Sequence, residues 1–492
     1  MSMIKIENLT FCYPACGENV FENLNAVIDT EWKLALVGRN GRGKTTLLKL
    51  LHGEYEYGGK ITGGVRFDYF PYAVKDKNKS VADILSEICP ERYEWEFIKE
   101  LSSLGMDADV LYMPFEYLSS GEQTKILLAA MFLKENNFLL IDEPTNHLDA
   151  AAREQVANYL GKKKGFIVVS HDRDFLDGCV DHVMALNRTD IEIRGGTFGE
   201  WLDDFENRQL AEQEQKDKLH KEIKRLKQSA AQSADWARKT EAGKKGSGKG
   251  DSPPDRGFIG HKAAKMMKRS KILEGRQKRL IEEKSSLLRN VETSDALKIA
   301  PLKYRSEKLV VFDKVQIVYD GVAINEPVSF TVNRGRRIAL SGGNGCGKSS
   351  LLKPLVGREV EHTGQIHIGS GLIVSYVPQA VSALSGNIKE MLMCDGIDVG
   401  LFMAVLCRMG VEENPLGKDM SELSDGQKKK VLIAKSLCES AHVYIWDEPL
   451  NYIDIYCRIQ IEKLIKEFGP TMIFIEHDRS FRNAVATEIV EL

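Results

Sequence analysis

Four sequence motifs occur twice in this chain of 492 residues, each time in the same order. "LALVGRNGRGKTTLLKLL" returns as "IALSGGNGCGKSSLLKPL", and "FLLIDEPTNHLD" returns as "VYIWDEPLNYID". The spacing of matching residues is nearly constant: it is 304 for Lys44 and Lys348, 305 for Asp142 and Asp447, and 306 for His171 and His477. Repeats at one spacing indicate a duplicated domain, and a chain with 43% apolar residues can bury two cores. We expect domains at 1–204 and 301–492, joined by a linker at 205–300.

The glycine-rich stretches "GRNGRGKT" (38–45, the first loop) and "GGNGCGKS" (342–349, the second loop) each follow a strand-like run and precede a helical one. This is the context of a phosphate-binding loop, in which glycines let backbone N–H groups face phosphate oxygens and a lysine adds positive charge. A chance glycine turn could explain one copy but not two with matching partners. The predicted ATP-binding residues here are Gly38, Asn40, Gly41, Gly43, Lys44, Thr45, Thr46, Gly342, Asn344, Gly345, Gly347, Lys348, Ser349 and Ser350.

An acidic pair follows an apolar run in each half. Asp142 and Asp447 end predicted buried strands, so their carboxylates should hold Mg²⁺ beside the phosphates, together with the hydroxyls of the loop residues Thr45 and Ser349. The next residue, Glu143 or Glu448, can polarise the attacking water. Acidic pairs at strand ends are often only helix caps, but a proline follows each pair and a phosphate-binding loop accompanies it, which favours catalysis.

A histidine follows a further apolar strand in each half. His171 and His477 could contact the terminal phosphate from the opposite side. A lone histidine is more often structural, and it is the repeat that favours the catalytic interpretation.

Positive charge is concentrated in the middle of the chain. Residues 211–290 contain 22 Lys and Arg against 11 Asp and Glu, a net charge of +11, whereas the rest has 46 against 60, or −14. A solvated helical linker is the simplest explanation of a charge run. A segment this basic in an acidic protein nevertheless favours a polyanionic partner.

The same segment has the pattern of a helical hairpin. Residues 205–240 are rich in helix formers and lack Gly and Pro, and at ~1.5 Å per residue they could span ~50 Å. Glycines and prolines then predict a tip loop at about 241–260. Leu273, Leu280 and Leu287 follow at heptad spacing, which predicts a second, returning helix.

The pentapeptides "LSSGE" (118–122, the first signature) and "LSDGQ" (423–427, the second signature) resemble the signature motif of ATP-binding cassette proteins. The resemblance implies an α/β fold with two tandem P-loop NTPase cassettes, ATP and Mg²⁺ as cofactors, and halves that face head to tail. Each ATP would then lie between one half's loop and the other half's signature. This implies that the first loop pairs with Ser424, Asp425 and Gly426, and the second loop with Ser119, Ser120 and Gly121. Tyr13 and Tyr319 resemble the family's adenine-stacking aromatic residue, although either alone could be a core tyrosine.

The first half departs from the family pattern at two positions. The second half has "YVPQ", which ends in Gln379. This residue resembles the glutamine that, in the family, couples magnesium binding to motion. The first half has "YFPY", with Tyr72 at that position. Glu122 likewise replaces the glutamine of the first signature. Since both glutamates of the acidic pairs remain, we expect two competent but unequal ATP sites.

Tandem cassettes joined by a basic helical hairpin resemble the ABC-F proteins. This resemblance implies a monomer that occupies the E site of the bacterial ribosome and directs its hairpin toward the P-site tRNA and the large-subunit rRNA of the peptidyl-transferase centre. The stretches "DRGFIGHKAAKMMKRSK" and "DEPLNYID", and the absence of a C-terminal extension, resemble the Lsa and Vga type of antibiotic-resistance factor. The implied RNA-binding residues are Lys244, Lys245, Lys249, Arg256, Phe258, Lys262, Lys265, Lys268 and Arg269. Phe258 would stack on RNA, or else fold back with Ile259 to close the hairpin.

Other functions explain less of the sequence. Without a run of about 18 apolar residues or a signal peptide, we expect a cytoplasmic protein that does not enter membranes. The ATPase subunit of a membrane importer would explain both cassettes but not the hairpin, and an iron–sulfur ribosome-recycling ATPase would need a cysteine-dense N-terminus. A housekeeping ABC-F translation factor remains an alternative. A purely structural ribosome-binding protein is disfavoured by Glu143 and Glu448.

Overall fold

The computed structural model describes residues 2–14, 19–135, 137–146, 148–187, 190–208, 301–319, 321–343, 345–411 and 414–492, and single residues between 210 and 228. The chain forms two compact units, one made of Met1–Trp201 with Ala296–Leu492 and the other of Leu202–Asp295. The first unit therefore contains both copies of every motif. The predicted tip loop and returning helix lie outside the described residues.

The first half alternates strands and helices. Its elements are β1 (Met3–Cys12), β2 (Asn19–Asp29), β3 (Lys33–Val37), α1 (Lys44–His52), β4 (Gly58–Thr62), β5 (Arg66–Phe70), α2 (Val81–Ile88), α3 (Glu94–Ser103), α4 (Ser120–Phe132), β6 (Asn137–Asp142), α5 (Ala150–Gly161), β7 (Phe166–Val169), α6 (Arg173–Cys179), β8 (His182–Leu186) and β9 (Ile191–Gly195). Short 3₁₀ turns at Ala108–Tyr112 and Phe115–Tyr117 lead into α4, which begins within the first signature.

The second half follows nearly the same order, with an additional short strand, β11 (Val322–Ala323). Its elements are β10 (Lys308–Tyr319), β11 (Val322–Ala323), β12 (Val328–Asn333), β13 (Arg337–Ser341), α7 (Lys348–Leu352), β14 (His362–Ile368), β15 (Val374–Val377), α8 (Ile388–Cys394), α9 (Val399–Arg408), α10 (Asp425–Cys438), β16 (Val443–Asp447), α11 (Ile455–Phe468), β17 (Met472–Ile475), α12 (Arg479–Val485) and β18 (Glu488–Glu491). The helix that begins within the second signature is α10.

Each half is built around a parallel sheet. The strand order is β5-β6-β7-β3-β8-β9 in the first half, with only β9 antiparallel, and β15-β16-β17-β13-β18 in the second. Antiparallel sheets, β2-β1-β4 in the first half and β10 with β11, β12 and β14 in the second, lie beside them. The strands of a parallel sheet end at the same edge. In the first half, the first loop after β3 and the acidic pair at the end of β6 therefore lie at one edge of their sheet, and in the second half the second loop after β13 and the acidic pair at the end of β16 do so in theirs.

The apolar runs fill cores on both faces of the sheet, as β16 illustrates. Ile445 belongs to a core shared with the antiparallel sheet and α7, whereas Tyr444 and Trp446 belong to a core shared with α8 to α12. Alternate side chains of a strand point to opposite faces, so a strand covered on both sides is apolar throughout. These two layered halves confirm the predicted α/β fold class with tandem cassettes.

Candidate ATP sites

The two phosphate-binding loops share one backbone conformation. Gly41 and Gly43 have φ angles of 83° and 88°, and Gly345 and Gly347 have φ angles of 82° and 88°. Glycine adopts this left-handed region readily, whereas other residues are strained there. The helices α1 and α7 begin at the loop lysines Lys44 and Lys348, and the unpaired N–H groups of a helix N-terminus favour anions. Both loops thus have the form that phosphate groups require.

The loop lysines are buried within their own loops. Lys44 Nζ donates to Gly38 O at 2.8 Å, and Lys348 Nζ donates to Gly342 O at 2.9 Å and to Gly343 O at 2.6 Å. Burial lowers the pKa of Lys44, although nearby carboxylates oppose this shift. In each loop the cation is held by backbone carbonyls of the loop itself.

The aspartates at the ends of β6 and β16 face hydroxyl groups. Ser349 Oγ donates to Asp447 Oδ1 at 3.0 Å, and Tyr69 OH donates to Asp142 Oδ2 at 3.0 Å. Thr45 is exposed in the first turn of α1. Hydroxyl and carboxylate oxygens are the ligands that Mg²⁺ prefers, so the residues present at the second loop fit this ion. Burial raises the pKa of Asp447 to about 6.

The catalytic candidates pair with histidines in both halves. Glu143 Oε1 lies 3.2 Å from His171 Nε2, and Glu448 Oε1 lies 3.6 Å from His477 Nε2. Both glutamates have left-handed φ angles, 49° for Glu143 and 44° for Glu448. A non-glycine residue in this conformation costs about 1–3 kcal/mol and is typical of functional sites.

The two glutamates differ in their electrostatic surroundings. Burial, reinforced by Asp142, raises the pKa of Glu143 to about 8. At Glu448 burial acts in the same direction, but hydrogen bonds from His477, Gln379 and Asn451 outweigh it and lower the pKa to about 2. Asn451 Nδ2 donates to Glu448 Oε2 at 2.8 Å. The second half therefore stabilises the ionised carboxylate that the first half disfavours.

The first loop contacts the second half directly. Asn40 Nδ2 donates to Tyr452 O at 2.8 Å, and the backbone N–H of Asn40 donates to Asp454 Oδ2 at 3.3 Å. Gly426 of the second signature packs so closely that an added Cβ would lie 2.8 Å from Tyr452 O and 3.4 Å from Asn40 Nδ2. The first loop and the second signature thus meet, as the head-to-tail arrangement requires. We call this the first ATP site.

The second loop borders a cavity of about 650 Å³ that both halves line, and we call it the second ATP site. Clefts of this size commonly hold small molecules. Predicted site residues that line it are Tyr319, Gly345, Gly347, Lys348, Ser349, Ser350, Gln379, Asp425, Glu448 and His477 from the second half, with Ser120 from the first. Asp425 lies at this cavity although the signature resemblance implied that it pairs with the first loop. Arg153 and Leu148 of the first half complete this wall.

Tyr72 and Gln379 occupy matching positions with different neighbours. Gln379 hydrogen-bonds Glu448 and lines the cavity of the second ATP site. Tyr72 instead lies under Lys134, whose Nζ is 5.9 Å from the centroid of the tyrosine ring. The glutamine that hydrogen-bonds Glu448 in the second half is thus a tyrosine in the first half.

The signature serines cap the helices that follow them. Ser119 Oγ accepts from the N–H of Glu122 at 3.3 Å, and Glu122 Oε2 accepts from the N–H of Ser119 at 2.9 Å. Ser424 and Gln427 form the same capping box. Because a carboxylate can accept this bond as well as an amide can, the replacement at Glu122 keeps the local geometry. Gly121 follows in the first turn of α4.

The predicted adenine-stacking tyrosines are tied to the loop helices. Tyr13 OH and Thr46 Oγ1 are 2.8 Å apart, as are Tyr319 OH and Ser350 Oγ. Asn344 lies outside the described residues, and so do all the implied RNA-binding residues, Lys244, Lys245, Lys249, Arg256, Phe258, Lys262, Lys265, Lys268 and Arg269.

Sequence reasoning missed several residues at these sites. Tyr452 and Asp454 contact the first loop from the second half, although they lie only four and six residues after Glu448. Lys429 lies beneath the second ATP site and is completely buried. The signal that could have revealed Lys429 is a difference between the repeats, since the first half has Thr124 at that position.

Comparison with known proteins agrees with this geometry. The sequence model of the family described as "ABC transporter" matches residues 21–146 and 325–451, which together make up just over half of the chain. The chain belongs to the ABC transporter family. It is an ATPase, with one cassette in each half.

Characterised relatives are similar along nearly the whole chain. The ATP-binding protein Uup of Caulobacter vibrioides is 27% identical over 96% of this chain and 74% of its own length. The energy-dependent translational throttle protein EttA of Haemophilus influenzae is 25% identical, over 93% and 86%. The ribosome protection protein VmlR of Bacillus subtilis is 25% identical, over 95% and 83%. The chain is thus similar to ATP-binding proteins that include a translational throttle protein and a ribosome protection protein.

A solved structure supports the fold. The archaeal ribosome recycling factor aABCE1, determined in complex with the ribosomal stalk protein aP1, matches with a TM-score of 0.65 at 19% identity, over 98% of this chain and 87% of its own. At that identity the match bears on the fold alone. Among the described residues, no helix has the length and apolar character needed to cross a membrane.

Proposed function

We propose that this protein is an ATP-hydrolysing ABC-F ribosome protection factor. It would bind the E site of the bacterial ribosome in the cytoplasm, as a monomer, and direct residues 205–300 toward the P-site tRNA and the peptidyl-transferase centre. Its effect would be to relieve inhibition by large-subunit antibiotics of the lincosamide, streptogramin A and pleuromutilin types. The observation that carries the proposal is the composite construction of the sites, because Asn40 of the first loop contacts the second half through Tyr452.

In this proposal ATP binding and closure of the two halves are one event. The first loop with Ser424, Asp425 and Gly426, and the second loop with Ser119, Ser120 and Gly121, would each hold one ATP. Glu143 and Glu448 would polarise the attacking water, and His171 and His477 would contact the terminal phosphate. Mg²⁺, held by Thr45 with Asp142 and by Ser349, Gln379 and Asp447, would neutralise phosphate charge. Hydrolysis would then separate the halves.

The ribosome enters the proposal through two observations. The linker segment 211–290 has a net charge of +11, which suits RNA phosphates. Two relatives carry names that refer to translation or to ribosome protection, the throttle protein EttA and the ribosome protection protein VmlR. The domain limits 1–204, 205–300 and 301–492 are part of the same proposal.

The cycle is tested with the double variant Glu143→Gln, Glu448→Gln. This variant should bind ATP without hydrolysing it, and should therefore sediment with ribosomes in ATP but not in ADP. The parent chain under the same conditions is the matched control. If the variant sediments equally with and without ATP, the ATP-gated cycle is wrong, and sedimentation with membranes would favour an importer subunit.

The role in resistance is tested at the linker. Replacing residues 243–260 by a Gly-Ser linker should leave ATPase activity intact, because no nucleotide motif lies there, and should abolish drug protection in a host that lacks its own factor. Phe258→Ala should weaken protection, since stacking on a base is worth ~1–3 kcal/mol. Full protection by the loop replacement would leave a housekeeping translation factor as the better function.

A further inference from the structure

Lys429 is a completely buried cation next to the second ATP site. Its side chain has 0% exposure, and a buried ammonium is stable only when its donors are satisfied. Its Nζ donates to Pro378 O at 2.7 Å, to Glu448 O at 3.0 Å and to Asp447 O at 3.5 Å. All three partners are backbone carbonyls, so the three N–H bonds of the ammonium match three acceptors.

The three carbonyls belong to two predicted site residues, Asp447 and Glu448, and to Pro378, the residue before a third. Pro378 directly precedes Gln379, which hydrogen-bonds the Glu448 side chain. Asp447 and Glu448 are the predicted magnesium ligand and water-polarising residue. The ammonium thus joins the ends of β15 and β16, and it fixes the main chain from which all of these side chains project.

Within the described part of the chain, no carboxylate forms a direct ion pair with Lys429, and its charge is balanced by carboxylates at longer range. Burial lowers its pKa to about 8, while the carboxylates of Asp447, Glu476 and Glu448 act in the opposite direction. Glu476 is buried as well and accepts from the backbone N–H groups of Leu450 at 3.2 Å and His477 at 2.8 Å.

At the matching positions, the first half has neutral side chains in place of Lys429 and Glu476. Thr124 matches Lys429, and its hydroxyl donates to Ser120 O at 2.9 Å within its own helix. Ser170 matches Glu476, and its hydroxyl lies 2.9 Å from Thr145 Oγ1, where the second half has Leu450. Glu143 O accepts from the N–H of Asn146 at 3.3 Å.

We propose that Lys429 is a positioning residue of the second ATP site, which holds the main chain of Glu448 and of the segment that begins at Gln379. Lys429 also lies one turn into α10, the helix whose first turn contains Gly426 and contacts the first loop. The helix α10 therefore connects Gly426, which packs against the first loop, with the main chain of Asp447 and Glu448 at the second ATP site. This inference deepens the proposed function and rests on its assignment of the second ATP site.

The test compares three variants of the full-length chain. Lys429→Met removes the ammonium and keeps the length of the side chain. The triple variant Lys429→Thr, Leu450→Thr, Glu476→Ser installs the neutral set of the first half, and so removes the charge imbalance as well. Lys435→Met is the matched control, because this lysine of the same helix pairs with Asp395 and Glu439, away from the strand ends.

The first measurement is hydrogen exchange of the nucleotide-free protein. In both Lys429 variants, peptides covering 376–382 and 446–452 should exchange faster by about fivefold or more, and the first-half peptides covering 69–75 and 141–146 should be unchanged. Lys435→Met should match the parent in all four. Unchanged exchange at 376–382 and 446–452 would overturn the inference.

The second measurement is steady-state ATPase activity in the Glu143→Gln background, where turnover reports the second ATP site. Both Lys429 variants should lower kcat by about tenfold while KM for ATP changes by less than about threefold, because a displaced Glu448 affects the chemical step more than nucleotide binding. The triple variant should nevertheless melt within about 3 °C of the parent. If the triple variant has both the kcat and the melting temperature of the parent, Lys429 only balances charge. The inference is then wrong.

The two measurements separate this inference from the proposed function. If Glu448→Gln leaves hydrolysis unchanged, the assignment of the second ATP site fails, and the exchange result still decides whether Lys429 holds the main chain. If Lys429→Met does not fold, the triple variant decides both points.

Discussion

Glu143 and Glu448 directly follow matching strands and have nearly the same φ angle, yet their surroundings differ. Glu448 accepts hydrogen bonds from Asn451 and Gln379, and its main chain is held by Lys429. Glu143 lies beside His171, in a half where Tyr72 has replaced the glutamine. Duplication has thus preserved the backbone of the catalytic edge while the polar side chains around it changed. We expect the second ATP site to hydrolyse faster than the first.

The largest effect expected from this comparison is at the glutamates. Glu448→Gln should lower the total ATPase rate by about 100-fold, which is typical for loss of a general base, whereas Glu143→Gln should leave the total rate nearly unchanged, because the slower first ATP site contributes little to it. Steady-state phosphate release of the two single variants measures the difference. Equal losses would mean that the two sites turn over at the same rate.

A second prediction concerns the loop glycines. A Cβ at Gly43 would lie 2.8 Å from both the Phe21 ring and Val20 Cγ1, whereas a Cβ at Gly347 would meet the mobile end of Ile324 at 2.9 Å. Gly43→Ala should therefore cost about 2 kcal/mol of unfolding free energy and Gly347→Ala about 1 kcal/mol. Gly41→Ala, where a Cβ meets nothing within 4 Å, is the control for the left-handed φ alone. Denaturant unfolding measures all three, and an equal cost at 43 and 41 would refute the steric argument.

Replacing Gln379 by tyrosine, or Tyr72 by glutamine, should reduce the difference in hydrolysis rate between the two ATP sites. Gln379→Tyr removes a hydrogen bond from Glu448 and should slow the second ATP site by about fivefold, measured in the Glu143→Gln background. Tyr72→Gln, measured in the Glu448→Gln background, should raise the rate of the first ATP site by a smaller factor. A rate increase from Gln379→Tyr would contradict the role that we assign to the glutamine.

The smallest expected effect is at the tyrosines. Tyr13→Phe removes the hydrogen bond to Thr46 and should cost about 1 kcal/mol of unfolding free energy. Tyr319→Phe removes the equivalent bond to Ser350, but Tyr319 is 45% exposed, so water can replace the lost partner and the cost should be about half as large. Thermal unfolding measures both, and neither change should weaken ATP binding if the rings stack on adenine.

Much of the fold and of both sites could be predicted from the sequence, because their chemistry depends on short local motifs. Gly43 and Gly347 indicate their loops, and Asp142 and Asp447 could be placed at strand ends from apolar runs alone. The contact between Asn40 and Tyr452 could not be predicted, since it joins residues 412 apart in the sequence. The role of Lys429 was missed for a different reason. It is one of three consecutive lysines that are all buried, and it is distinguished by the contacts of its ammonium group with the backbone carbonyls of Pro378, Asp447 and Glu448.

The composite construction of the sites has an evolutionary consequence. In a homodimer of identical cassettes, one codon change would alter both nucleotide sites at once, so neither could specialise without harm to the other. Fusion of two gene copies removes this constraint, because a change at position 429 has no counterpart at position 124. One site can then evolve slow hydrolysis, which sets the duration of the cycle, while the other keeps fast hydrolysis. Selection can act on the two rates separately.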